Sequence, residues 1–231
     1  MEKEASTRKK KWLGCDVWQI AWLVFSNIVI LGIAIYQKDD WFNIVTALSG
    51  VVCVILCGMG KVSNYFFGTI NILLYAYVAF NAKYYGDVML NLLYYFPTNI
   101  LGWIVWAKNV NHENNEVYKK RLTVKQDVYL TVISVIGVLG YSLVLKALKG
   151  NLPIVDSIST VGSIIAQILM INRYAEQWVI WIAVDIVTVI MWLVAYVDGD
   201  GGIAVLLMWM VYLTNAVIMY IHWMKEAKKS A

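Results

Sequence analysis

The chain has 231 residues, of which 61% are hydrophobic and 15% are charged, and its formal net charge is +4. Soluble domains are only about half apolar and carry about a quarter charged residues, so the composition excludes a soluble globular protein and indicates an integral membrane protein embedded in a lipid bilayer. It also excludes a nucleic-acid-binding domain, because the chain has no soluble basic face.

Eight mostly apolar runs are close to the ~20 residues that a helix needs to cross a bilayer. They are residues 17–36, 41–59, 63–80, 88–106, 128–148, 154–171, 178–197 and 203–222. A charged N-terminal segment, residues 1–16, precedes the first run, and a polar tail, residues 223–231, follows the last. Short polar turns join most of the runs, and only residues 107–127 form a long connection.

The basic residues predict the orientation of these runs. If the N-terminal segment lies on one side of the membrane, that side carries 15 of the 19 Lys and Arg residues. The opposite side carries Lys38, Lys83, Lys146 and Lys149. Cytoplasmic loops are enriched in basic residues, so both termini and the long loop are predicted to be cytoplasmic.

The runs at 41–106 and 154–222 form two triplets with related residues at matching places. The matches are Lys61 with Arg173, Asn71 with Asp185, and Thr98–Asn99 (FPTN) with Thr214–Asn215 (YLTN). Since one linker run, 128–148, separates the triplets, both enter the membrane in the same direction, as parallel transporter repeats do. The predicted fold is therefore all-α and membrane-integral, with eight transmembrane helices in a parallel 3+1+3 repeat plus an extra N-terminal helix at 17–36.

The stretch EQWVIWIAVD carries the one acidic residue that lies well inside an apolar run. At about 100° per residue, Trp178, Trp181 and Asp185 share one face of the helix, which Thr188 continues. An ionised Asp at a helix centre costs about 2.5–3.5 kcal/mol. Either a hydroxyl or amide of a neighbouring helix satisfies it, or it faces a cavity. The second interpretation is favoured, because indole faces beside a carboxylate suit a flat cationic ring.

Polar residues in other runs are further candidates for a ligand cavity, although hydrogen bonds between helices explain each of them equally well. These candidates are Asn71, Asn91, Tyr95, Thr98, Asn99 and Asn215. Pro97, in the middle of the fourth run, leaves a backbone carbonyl without its helical partner and favours a bend.

The sequence indicates neither a metal site, nor a cofactor, nor an enzyme. The three cysteines have no metal-ligand spacing, and the chain lacks HExxH, a Ser–His pair and paired acids at depth. A retinal-binding receptor needs a lysine in mid-helix, whereas every lysine here lies near the end of a run. A transporter is therefore the predicted function, with an intramembrane enzyme or a receptor as distant alternatives.

The segment WVIWIAVD resembles the tryptophan–tryptophan–polar motif in the penultimate helix of the PnuC family, the bacterial nicotinamide riboside carriers. The segment NYFFGTINILLYAYVAFNAKYYGDVMLNLLYYFPTNILGWIVW resembles the first repeat of that family, and the similarity extends over residues 18–225. The resemblance implies a fold related to SWEET sugar transporters. It also implies a ligand site lined by Trp178, Trp181 and Asp185, with Asn and Tyr residues of the fourth run beside them.

The resemblance further implies facilitated diffusion of the unphosphorylated riboside across the bacterial inner membrane, followed by trapping through a cytoplasmic riboside kinase. A single acid at depth without a basic partner favours uniport over ion coupling. Relatives of this family carry thiamine or riboflavin, and these substrates stay open because all three have flat rings with polar tails. A homo-oligomer also stays open, since lipid-facing and protomer-facing Ile, Val and Leu have the same pattern.

Overall fold

The computed structural model describes residues 11–12, 15–111, 115–147 and 153–229. Its helices are α1 Val17–Tyr36, α2 Trp41–Gly58, α3 Asn64–Asn81, α4 Tyr85–Met89, α5 Phe96–Ala107, α6 Val124–Ala147, α7 Pro153–Ile171, α8 Gln177–Asp198 and α9 Ile203–Lys229. The structure also has two short pairs of antiparallel strands. β1 Lys11–Trp12 pairs with β2 Cys15–Asp16, and β3 Val110–Asn111 pairs with β4 Glu116–Val117. Parts of the predicted segments 1–16, 107–127, 128–148 and 223–231 lie outside the described residues.

The predicted all-helical architecture is confirmed, and a helix occupies each predicted run. In the part of the chain that the structure describes, six helical segments are long and apolar enough to cross a membrane. They are Val17–Tyr36, Trp41–Gly58, Tyr85–Ala107, Val124–Ala147, Gln177–Asp198 and Ile203–Ala227. A seventh segment, Asp156–Ile171, is apolar but shorter.

Two helices are longer than the hydrophobic runs that predicted them. α6 begins at Val124 because Thr123 and Gln126 form a capping box, in which Thr123 N donates to Gln126 Oε1 over 2.9 Å. α9 continues to Lys229, since Trp223 and Ala227 are buried against the neighbouring helices. Hydropathy missed both extensions because their stability comes from capping and packing.

The helix that contains Pro97 runs from Tyr85 to Ala107 without a break. Its middle, Leu90–Tyr95, is π-helical and directly precedes the first turn of α5, where Pro97 lies. Proline lacks the N–H that would bond to the carbonyl one turn earlier, and a wider π turn accommodates this loss. The structure thus has a local widening of the helix before Pro97, where the sequence predicted a bend.

The bundle is built around α2, which packs against α3 and α9, and α8, which packs against α7 and α9. α1 lies against α2 and α9, whereas α6 packs mainly against α7 and leaves nearly all of its apolar surface exposed. Two clusters of buried side chains fill the interior, one around Trp192 and one around Trp223.

The connections α2–α3 and α7–α8 have the same backbone conformation. Gly60 and Arg173 both have a left-handed φ, of 73° and 65°. In each connection the next residue donates its N–H to the last turn of the preceding helix, Lys61 to Leu56 O and Tyr174 to Leu169 O. Gly60 therefore corresponds to Arg173.

Aligned on these connections, α3 and α8 have a register that differs by one residue from two of the predicted pairs, Lys61 with Arg173 and Asn71 with Asp185. The first turns of α3 and α8 also match, because Tyr65 N donates to Val62 O and Trp178 N donates to Ala175 O. Counting along both helices from there, Asp185 corresponds to Ile72 and not to Asn71. The predicted pairs matched residues by polarity, whereas the backbone geometry fixes the register.

We expect Gly102→Ala to destabilise the bundle, because a Cβ there would lie 2.5–2.7 Å from ring atoms of Tyr65 and would separate α5 from α3. Such overpacking typically costs about 1–3 kcal/mol. Gly32→Ala in α1 is the matched control, since nothing lies within 4 Å of its Cβ position. Chemical denaturation in detergent measures both, and an equal loss in the two variants would contradict the contact.

Candidate functional site

A cavity lies between the two triplets at mid-bundle. Its volume is about 140 Å³, and one water needs about 10–15 Å³ on such a scale, so the cavity has room for a small organic molecule. Helices α2, α3, α5, α7, α8 and α9 and the π-helical segment contribute its walls. The lining residues are Cys53, Val54, Cys57, Gly68, Asn71, Ile72, Tyr75, Asn91, Tyr95, Asn99, Gln167, Met170, Trp178, Trp181, Asp185, Trp209 and Tyr212.

Asp185 places its carboxylate on the wall of this cavity. It lies eight residues into α8, about 12 Å along the helix, and is 97% buried. Within the described residues its side chain makes no hydrogen bond and no ion pair. Among the described residues no hydroxyl or amide bonds to this acid, so its side chain can take a partner from the cavity.

Aromatic rings stand beside this carboxylate. Trp181 is half-buried, and its ring centroid lies 6.3 Å from that of Tyr95 across the cavity, with the planes inclined by 44°. Trp178, one turn nearer the α7–α8 connection, is fully buried and also lines the cavity. At this distance and inclination the two rings contact each other, so a planar ligand ring can stack on the open face of Trp181 or Tyr95 but not between them.

Three asparagines on the opposite wall present acceptor oxygens. Asn71 donates through Nδ2 to Thr46 O over 2.9 Å, Asn91 to Asp87 O over 2.8 Å, and Asn99 to Tyr65 O over 2.9 Å. Asn99 donates in addition to Thr69 Oγ1 over 2.8 Å. Hydroxyl or amide donors of a ligand would therefore bond to the Oδ1 atoms.

The structure places three predicted site residues outside the cavity. Thr98 donates its hydroxyl to Tyr94 O over 2.6 Å, and Thr188 donates to Val184 O over 2.9 Å, each within its own helix. Asn215 donates to Val54 O of α2 over 3.2 Å and thus joins two helices. The other seven predicted residues, Asn71, Asn91, Tyr95, Asn99, Trp178, Trp181 and Asp185, line the cavity together.

Several lining residues were not predicted to contact a ligand. Those with polar or aromatic side chains are Cys53, Cys57, Tyr75, Gln167, Trp209 and Tyr212. Tyr75 and Gln167 lie on polar faces at helical spacing, a signal that the sequence contains. Trp209 and Tyr212 had no signal, because aromatic residues in an apolar helix also occur at the membrane interface.

The charge around the cavity is one-sided. None of the described residues that line it is Lys or Arg, and Asp185 is its acidic group. Arg173 and Glu176 lie outside it, at the α7–α8 connection, where burial lowers the pKa of Arg173 and raises the pKa of Glu176. The described lining thus offers a ligand one acidic group and no basic group.

The end of the cavity nearest the α8–α9 connection is closed by a hydrogen-bonded group. Tyr75 donates its hydroxyl to Asp87 Oδ2 over 2.9 Å and accepts a hydrogen bond from Trp192 Nε1 over 2.8 Å. Since Tyr75 also lines the cavity, a ligand leaving at this end has to displace the Tyr75 side chain.

Comparison with known proteins finds sequence similarity over most of the chain. Residues 40–225 match the family described as nicotinamide mononucleotide transporter. The chain is 41% identical over 218 residues to the nicotinamide riboside transporter PnuC of Neisseria mucosa, covering 92% of this chain and 81% of that protein. It is 32% identical over 219 residues to PnuC of Haemophilus influenzae, covering 94% of each.

The structural likeness extends equally far. The fold is similar to a structure described as the crystal structure of the vitamin B3 transporter PnuC, with a TM-score of 0.84 and 38% identity. The match covers 96% of this chain and 95% of that one. It thus includes the helices that form the cavity, and the predicted resemblance is confirmed.

Proposed function

The chain belongs to the PnuC family of multi-pass membrane transporters, and we propose that its cargo is nicotinamide riboside rather than the riboside phosphate. The observation that carries this proposal is the unpaired carboxylate of Asp185 in a cavity whose described walls contain no Lys or Arg. The riboside carries one positive charge, on its pyridinium ring. The phosphate of the mononucleotide would meet a carboxylate and no cation, which is unfavourable in a site of low dielectric constant.

The cavity residues divide into three roles in this proposal. The open face of Trp181 or Tyr95 stacks on the pyridinium ring, and Asp185 balances its charge. Asn71, Asn91 and Asn99 accept hydrogen bonds from the ribose hydroxyls and the carboxamide. Trp178 forms the end of the site nearest the α7–α8 connection. Thr98, Thr188 and Asn215 stabilise the surrounding helices through their hydrogen bonds to backbone carbonyls.

We propose the following arrangement in the membrane. Eight spans form two parallel triplets, 41–106 and 154–222, which 128–148 links, with 17–36 as an additional helix. The side that carries the α2–α3, α5–α6 and α7–α8 connections is the cytoplasm, because the lysines and arginines gather there. Both termini then lie in the cytoplasm of a bacterial cell, and the membrane is the inner membrane.

The transport mechanism that we propose is facilitated diffusion. Asp185 is an acid at mid-membrane with no ionic partner in the described residues, whereas ion-coupled carriers use several such groups or broken helices. Uptake then continues only while the cell removes the free riboside, and a cytoplasmic kinase that phosphorylates it provides this removal.

Transport by the purified protein tests cargo and mechanism together. Proteoliposomes without any proton or sodium gradient should take up labelled nicotinamide riboside until the concentrations are equal inside and outside. Excess unlabelled riboside should compete, and the mononucleotide should not. Thiamine and riboflavin serve as further competitors. Strict dependence on an ion gradient would contradict facilitated diffusion, and stronger competition by the mononucleotide would contradict the cargo.

Asp185→Asn should weaken riboside binding by roughly 10–100-fold, because a hydrogen bond or ion contact with a charged group contributes about 1.5–3 kcal/mol. Asparagine keeps the shape and the acceptor oxygen of the side chain. The reduced riboside, whose ring is uncharged, should therefore lose much less affinity in the same variant. Calorimetry with both ligands measures the difference, and equal losses would show that Asp185 does not act through its charge.

Trp181→Ala should lower riboside affinity about 5–100-fold, since an aromatic ring that stacks on a base contributes about 1–3 kcal/mol. Trp103→Ala is the matched control, because Trp103 is 40% exposed on α5 and lies outside the cavity. Titration of both purified variants by calorimetry provides the comparison. Unchanged affinity in Trp181→Ala would remove this residue from the site.

A further inference from the structure

Four aromatic side chains close the cytoplasmic end of the cavity, and we name them the aromatic plug. They are Tyr65 of α3, Trp106 of α5, Trp178 of α8 and Trp223 of α9. Ring centroids lie 5.3 Å apart for Tyr65 and Trp106, 6.2 Å for Trp106 and Trp223, and 5.7 Å for Trp223 and Trp178. Each ring is at least 99% buried, so the plug leaves no opening between the two triplets.

The two third-helix tryptophans of the plug make reciprocal hydrogen bonds between the triplets. Trp106, in the first triplet, donates through Nε1 to Met170 O of α7 over 2.9 Å. Trp223, in the second triplet, donates through Nε1 to Gly58 O of α2 over 2.7 Å. Each acceptor is a carbonyl in the last turn of a helix. Such carbonyls lack a partner within the helix. Met170 O also accepts from Arg173 N over 2.9 Å, so Trp106 donates to its second lone pair.

The α5–α6 connection covers the plug from the cytoplasm and bonds to both triplets. Val117 N donates to Gly60 O over 2.9 Å, and Lys120 N donates to Arg173 O over 2.8 Å. Gly60 and Arg173 are the corresponding left-handed residues of the two triplets. Lys119 lies between these contacts, with Nζ 5.5 Å from the Trp223 ring and in ion pairs with Glu116 and Glu226.

We propose that the aromatic plug is the cytoplasmic gate of transport, and that the bonds Trp106–Met170 and Trp223–Gly58 are the contacts that open and close. Trp178 connects the gate to the cargo, because it belongs to the plug and also lines the cavity. When the triplets separate on this side, both pairs of hydrogen-bonding groups meet water. Opening then costs the small net value of two hydrogen bonds together with the packing of the four rings.

Two polar atoms of the plug support an equilibrium between closed and open states. Tyr65 Oη and Trp178 Nε1 are buried in the closed state without a hydrogen-bond partner among the described residues. A buried polar group without a partner raises the free energy of the state that contains it. Opening hydrates both groups and so offsets part of the packing that is lost.

Thiol labelling tests the gate with the native cysteines. Cys53 and Cys57 line the cavity behind the plug, and Cys15→Ser removes the third cysteine. A membrane-impermeant maleimide, applied to inside-out vesicles, should react slowly with the parent chain. Trp106→Phe and Trp223→Phe keep a ring and remove the N–H, so each should accelerate labelling about fivefold, the effect of losing one net hydrogen bond.

Trp103→Phe is the matched control, because it makes the same change on the exposed face of α5. Its labelling rate should equal that of the parent, and replacement of Cys53 and Cys57 by Ser should abolish the signal. An unchanged rate in both plug variants would overturn the gate. Equal acceleration in Trp103→Phe would also overturn it, since the effect would then reflect general loosening.

A cross-link provides a second test that does not depend on the stability of the tryptophan variants. A Cβ at Gly58 would lie 2.5 Å from Cγ of Met219 in α9. The Cβ atoms of the two positions are therefore at most about 4 Å apart, within the range of a disulfide. In a chain without its native cysteines, Gly58→Cys with Met219→Cys should stop riboside uptake when oxidised and restore it when reduced. Continued uptake by the oxidised protein would overturn the gate.

This inference rests on the proposed orientation in both tests, and on the proposed cargo in its second test only, because labelling needs no substrate. If the labelling result holds and no riboside is transported, the gate stands and the cargo is wrong. If riboside is transported and labelling is unaffected by the plug variants, the cargo stands and the gate lies elsewhere.

Discussion

The carboxylate of Asp185 is the constraint on which the rest of this protein depends. An acid inside an apolar helix needs a cation, hydrogen bonds or water, and the described residues supply neither of the first two. The surrounding helices therefore have to leave a cavity at its level. Gly68 on α3 and the π turn before Pro97 provide space for it. In the proposed function, a cationic ligand supplies the ionic partner of Asp185 that the described residues lack.

The first two helices of each triplet are connected by the same backbone geometry, but the two triplets contribute different groups to the cavity. Trp178, Trp181 and Asp185 of α8 correspond to Tyr65, Gly68 and Ile72 of α3. One triplet thus offers rings and a charge, while the other offers space and the asparagine oxygens. Near the cytoplasm the correspondence is closer, because an aromatic residue of each triplet donates to the other. The two triplets therefore differ in the residues that line the cavity and resemble each other in the hydrogen bonds of Trp106 and Trp223.

Much of the fold and part of the site could be predicted, for reasons that differ. Helices follow from apolar length, so every run was found. The face of Trp178, Trp181 and Asp185 follows from helical periodicity within one run. Thr98, Thr188 and Asn215 were misplaced relative to the cavity because a polar residue in a membrane helix bonds equally well to its own helix or to a neighbour. Trp209 and Tyr212 were missed because apolar helices carry aromatic residues for several reasons.

The sequence by itself determined the membrane class and the helical face of the buried acid, and it predicts the direction of the helices. Hydropathy, periodicity and the distribution of charge act within single segments. The tertiary structure decided which segments meet. It showed that the α2–α3 and α7–α8 connections each contain a left-handed residue, Gly60 and Arg173, since backbone geometry and not side-chain polarity fixes the end of a helix. It also brought Trp106 to Met170 and Trp223 to Gly58, contacts that arise only when distant helices pack together.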